Sequence, residues 1–144
     1  MSVPSWKRSE SKSEYIRLLH DLNIRIGQIV MNKPKKYRGS YADMLINTSL
    51  EALKYAQTAN SIFMTGNTSV EDFSLRRKYL LSARGAVENI ATVSQIFVDI
   101  CRKADRENAE KIYKEQAYIG ESCMMIHKKI SGVLKNDAAL MKSK

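Results

Sequence analysis

The side chains best suited to hold a metal or act as a nucleophile are few: His20, His127, Cys101 and Cys123. Cys123 and His127 stand four residues apart, so on a helix they share one face and could offer two ligands. A closed zinc site takes about four ligands, and Cys101 is the only obvious third. Neither histidine has a glutamate three residues before it, because Arg17 and Met124 hold those positions. The Glu-x-x-His motif of di-iron bundles is therefore missing. There is no Gly-x-Ser-x-Gly, no phosphate loop and no Gly-x-Gly-x-x-Gly. Gly85 and Gly120 fall inside helical patterns, where glycine costs about 1 kcal/mol against alanine, and they suggest close packing or a slight kink. The residues thus predict no catalytic centre, no cofactor and no metal: a buried thiol and a partly exposed imidazole.

The remaining chemistry is cationic. The 144 residues carry 24 Lys and Arg against 15 Asp and Glu, a net charge of +9. Such a surplus attracts polyanions, whether RNA, DNA or the acidic face of another protein. It is concentrated in residues 1–40, with Lys7 and Arg8 beside Trp6, then Lys33, Lys35, Lys36 and Arg38 around Tyr37. A second group comprises Arg76, Arg77 and Lys78, with Arg84 two turns on. Positive charge near a helix start opposes the helix dipole, which makes this group harder to read as mere solvation. Lys128, Lys129 and Lys135 lie late in a helix that begins near Glu107 and Glu110, an order that simply complements the dipole.

Four helices must position these groups. The first opens at Ser11, with Glu14 three residues later in capping-box spacing, and ends before Pro34. Its apolar face reads Tyr15, Leu18, Leu19, Leu22, Ile26, Ile29 and Val30. The second starts with Ser40 as N-cap and carries Met44, Leu45, Thr48, Ala52, Ala56, Ala59, Ile62 and Phe63. It stops at Thr65-Gly66-Asn67, a turn in which Gly66 or Asn67 can take positive φ. Thr68, with Glu71 three residues on, caps a third helix reaching about Arg102. A fourth runs from about Asp105 with Ile112, Ile119, Cys123, Ile126, Ile130 and Val133 in a heptad seam. After Leu134 the chain turns polar and is expected to fray.

Short connections make neighbouring helices antiparallel, so the expected fold is an all-α, up-down-up-down four-helix bundle. Its expected bounds are a basic arm over 1–10, the bundle over 11–135 and a frayed tail over 136–144. In such a bundle the first loop and the start of the third helix lie at opposite ends. Val93, Ile96 and Ile100 add a second apolar stripe to the third helix, and Met124 and Met125 widen the fourth. That is more than the roughly 100° arc a monomer needs, and it points to a homo-oligomeric interface. Oligomerisation would repeat the basic clusters around the assembly. Two separated cysteines, a polar N-terminus and the lack of a long apolar run predict a cytoplasmic protein with no membrane span.

Several segments together resemble a known family. They are Val3-Pro4-Ser5-Trp6-Lys7-Arg8-Ser9-Glu10-Ser11-Lys12, Pro34-Lys35-Lys36-Tyr37-Arg38, Ala59-Asn60-Ser61-Ile62 and Arg76-Arg77. The chain resembles, over about residues 3–135, the accessory variability determinant family of diversity-generating retroelements, four-helix-bundle proteins associated with reverse transcriptases. That family is similar in turn to the bundle proteins encoded in intervening sequences of large-subunit ribosomal RNA. The resemblance implies a pentameric barrel with a basic surface, which binds a reverse transcriptase and template RNA and supports mutagenic copying into DNA. It carries binding to Lys35, Lys36, Arg38, Arg76 and Arg77, whereas shorter members lack the arm with Trp6, Lys7 and Arg8. Two other readings stand beside it: an adaptor whose basic residues meet an acidic protein, and a metal-dependent bundle enzyme.

Overall fold

A computed structural model describes residues 14–142. They form four long helices: α1 (Glu14–Met31), α2 (Ser40–Asn60), α3 (Val70–Ala104) and α4 (Ala109–Lys142). A 3-10 turn, Lys35–Tyr37, lies between α1 and α2, and no strand occurs among the described residues. The arm with Lys7 and Arg8, and the Ser11 cap, lie outside them.

Each helix buries one stripe. Tyr15, Leu19, Leu22, Ile26, Ile29 and Val30 point inward from α1, at the spacing the sequence predicts. From α2, Leu45 is buried near the start, and the rest of its inner stripe is small, with Ala52, Ala56 and Ala59 fully enclosed. Small side chains let its neighbours approach closely, and Tyr55 of α2 stacks on Tyr79 of α3 at 6.4 Å between ring centres. Leu80, Val87, Ile90 and Phe97 from α3 meet Ile112, Ile119, Ile126 and Ile130 from α4 in the same core.

Cross-helix bonds fix the directions. Along α3 and α4, Arg76 meets Asp137, Arg84 meets Ser131 and Glu88 meets His127, so residue numbers rise on one helix as they fall on the other. Between α1 and α4, Lys129 pairs with Glu14 at 3.0 Å and Lys33 with Glu115 at the opposite end. Asn23 and Ser49 bond reciprocally between α1 and α2. The helices therefore surround the core in sequence order, each antiparallel to the next.

The ends differ from the sequence expectation in five respects. Gly39, not Ser40, holds the cap position of α2. Ser69, not Thr68, caps α3, its hydroxyl accepting from the Asp72 amide. Thr68 is used inside the loop, where its hydroxyl accepts from the Thr65 amide and donates to the Phe63 carbonyl. Those bonds close the turn without positive φ, which no described residue adopts. Phe63, placed by its spacing on the inner face, is 84% exposed because α2 has already ended at Asn60. Finally, α4 does not fray after Leu134 but continues to Lys142, since buried Asp137 is held by Arg76.

Candidate functional site

The predicted cations separate into three environments. Lys33 and Arg76 leave the surface set altogether. Lys33 is buried, and its ammonium contacts a Glu115 carboxylate oxygen at 2.5 Å. Arg76 is equally buried: Nε donates to Asp137 Oδ2 at 2.6 Å and Nη2 to Oδ1 at 3.4 Å. Its Nη1 donates to the carbonyl of Ile62 at 2.8 Å and that of Ala59 at 3.4 Å. Arginine near the start of α3 thus serves the end of α2, where carbonyls lack helical partners and the dipole is negative. Each charge is enclosed because a carboxylate distant in sequence meets it.

The first-loop cluster keeps three exposed members. Lys35 and Lys36 sit in the 3-10 turn and Arg38 follows it. The Lys36 ammonium lies 5.0 Å from the centre of the Tyr37 ring, a cation–π contact. The Tyr37 hydroxyl donates to the Ala104 carbonyl at 3.3 Å, anchoring the turn against the end of α3, whose last turn carries Arg102 and Lys103.

The third environment is a groove between α3 and α4. Arg77, Leu81 and Arg84 line it from α3, and Lys128, Ser131, Gly132, Leu134, Lys135 and Ala138 from α4, around a volume of about 520 Å³. Arg77 and Arg84 are seven residues apart, as are Lys128 and Lys135, and seven residues are two helical turns. The spacing brings each pair onto one face, and the antiparallel packing sets the pairs opposite each other. Arg84 Nη1 donates to the Ser131 hydroxyl at 3.2 Å. Among the described residues, no carboxylate forms an ion pair with any of the four. Four cations thus line one trough without an ion-paired carboxylate, which raises the local positive potential. Lys78 is exposed and does not line this groove.

Sequence reasoning picked Arg77 and Arg84 but set Lys128 and Lys135 aside as dipole complements. The available signal was the matching seven-residue spacing on two helices. It becomes informative only when those helices are known to be adjacent and antiparallel.

The same trough continues toward the middle of the bundle with different chemistry. Val87, Ala91, Gly120, Cys123 and Met124 enclose a mainly apolar cavity of about 240 Å³, with Glu88 and His127 also lining it and Lys128 common to both halves. His127 Nε2 and Glu88 Oε1 are 3.1 Å apart. Cys123 and His127 do share this wall, yet no group of three His, Cys, Asp or Glu among the described residues could hold a metal ion. Burial pushes the Cys123 thiol up to about 12 and also raises that of Cys101, so both favour the protonated form.

The five apolar residues expected to form one interface divide. Met124 lines the α3–α4 trough, whereas Val93, Ile96 and Ile100 do not, and Met125 lies about 100° further round α4. Val93 packs half-buried against the core. Ile96 and Ile100 remain 41% and 43% exposed, and Met124 and Met125 are also exposed. No helix among the described residues is long and apolar enough to cross a membrane.

Comparison with family models, with curated proteins and with solved structures finds no match. The likeness to the retroelement accessory family stands on the quoted segments alone. Of its matched positions, Lys35, Lys36, Arg38 and Arg77 are exposed and Arg76 is not.

Proposed function

We propose that the chain is a non-catalytic accessory protein that binds nucleic acid through its phosphates, with the α3–α4 groove as the main contact. The observation that carries this reading is the facing of Arg77 and Arg84 by Lys128 and Lys135 with no ion-paired carboxylate. Arginine forks and lysine ammonium groups are both suited to phosphate oxygens. Lys35, Lys36 and Arg38 form a second, looser contact at one end of the bundle.

The resemblance adds a setting: RNA or DNA held beside a reverse transcriptase, in the cytoplasm, by a homo-oligomeric and pentameric ring. Exposed Ile96 and Ile100 support a subunit contact along α3. Light scattering coupled to size exclusion tests the ring, and a clean monomer at micromolar concentration removes it.

For the binding itself, fluorescence anisotropy with a labelled RNA should show affinity falling steeply as salt is added, because phosphate contacts release counterions. Lack of binding even at low salt rejects the proposal. Charge reversal at Lys35, Lys36 and Arg38 that left RNA binding unchanged but abolished a protein contact would assign that loop to an adaptor role.

A further inference from the structure

The α3–α4 trough has two unlike halves that adjoin at Lys128, and a ligand using both must carry anionic and apolar groups side by side. The cationic half spans two turns on each helix. The apolar half is smaller than the roughly 300–1,000 Å³ of drug-sized sites, so it has room for one ring or one side chain. Its openness comes from Ala91 and Gly120 on facing walls. A Cβ at Gly120 would meet nothing within 4 Å, so close packing does not require glycine there.

Two side-chain bonds cross the trough, Arg84 to Ser131 at 3.2 Å and Glu88 to His127 at 3.1 Å. Among nucleic acids, a duplex keeps its bases stacked inside, so it would reach the four cations and leave the apolar half uncovered. A single strand presents phosphates and unstacked bases on one thin chain.

We infer that the trough takes single-stranded nucleic acid, with phosphates on Arg77, Arg84, Lys128 and Lys135 and one unstacked base in the cavity between Ala91 and Gly120. No Phe, Tyr or Trp lines that cavity. The base is held by insertion beside the Met124 thioether, a favourable sulfur–ring contact. His127 and Glu88 at the rim supply a donor and an acceptor to its polar edge. The inference rests on the phosphate-binding reading of the same trough and adds the strandedness and the base.

The test uses the full chain and three labelled ligands: a single-stranded RNA of about ten nucleotides, an abasic strand with the same phosphates, and a blunt duplex of equal length. The base-bearing strand should bind about tenfold tighter than the abasic one and tighter than the duplex. Gly120→Leu, which fills the cavity without changing charge, should remove that advantage and leave abasic binding as it was. Ala91→Leu fills it from the opposite wall and should act alike, with circular dichroism melting verifying that each variant folds. Equal affinity for base-bearing and abasic strands, or an undiminished advantage in folded filled variants, overturns the base pocket while leaving phosphate binding intact. A duplex that binds as tightly as the strand overturns it too. So does displacement of the strand by an acidic peptide bearing one aliphatic anchor at lower concentration than unlabelled strand. Failure of all three ligands at low salt instead overturns the phosphate reading.

Discussion

Arg76 and Arg77 are consecutive residues of α3, and the helix turns them about 100° apart into opposite surroundings. Arg76 is enclosed at one end of the bundle, held by Asp137 and by the last carbonyls around α2. Arg77 faces an open groove with three further cations. Lys33 repeats the buried arrangement at the other end through Glu115. The charge of a side chain therefore does not decide its role; the partner that the fold brings to it does. A buried cation with a carboxylate closes the structure, while an exposed group of cations without one is left to meet an anion from outside.

That contrast predicts unequal responses to mutation. Asp137→Ala leaves Arg76 buried without its counter-charge and should destabilise the bundle by about 3–5 kcal/mol in urea titration. Arg77→Ala should change stability by no more than about 0.5 kcal/mol, as surface substitutions do. Similar losses in the two variants would erase the distinction. In binding, the order should invert: reversing charge at Arg77 and Lys135 together should weaken RNA affinity on the order of a hundredfold, since charge-assisted bonds are worth about 1.5–3 kcal/mol each. Alanine at Lys35, Lys36 and Arg38 should weaken it by less than about tenfold, because exposed cations outside a shared groove contribute little individually. A larger loss from the loop than from the groove would move the main contact to the end of the bundle.

What the sequence made legible was the periodic part. The stripe of α1 and the heptad seam of α4 were readable because spacing alone determines which residues face inward. The small stripe of α2 is likewise visible, although spacing places Met44 and Phe63 inward and both are exposed. Contacts between residues distant in sequence were not legible. Nothing local at Arg76 announces Asp137, and nothing at Lys128 announces Arg84, since both depend on the register of α3 against α4. The continuation of α4 to Lys142 was missed for the same reason: the polar end is held by a cross-helix ion pair rather than by apolar periodicity.

A smaller effect distinguishes buried groups by pH. Burial pushes the Cys123 thiol and, against the opposing charge of Arg76, the Tyr15 hydroxyl up to about 12. Tyr15 has no hydrogen-bond partner for that hydroxyl among the described residues. In the unfolded chain these groups lose their protons near their ordinary values, 9.0 for the thiol and 10.0 for the phenol. The folded state then binds more protons than the unfolded one. Their contribution to stability is complete below about pH 9 and declines as pH rises toward 12. Chemical denaturation across that range should show the decline, and Cys123→Ala should make it shallower. A decline equally steep in that variant would separate the thiol from the effect.

The groove is tested most directly by the salt dependence of RNA binding in the parent chain and in Arg77→Ala/Lys135→Ala, two exposed positions that take no part in the buried pairs. The logarithm of affinity should fall linearly with the logarithm of salt concentration. The slope for a single strand should be shallower in the variant by about 0.7 for each phosphate contact removed. Parallel lines, with only a vertical offset or none, would contradict the assignment of phosphates to this groove.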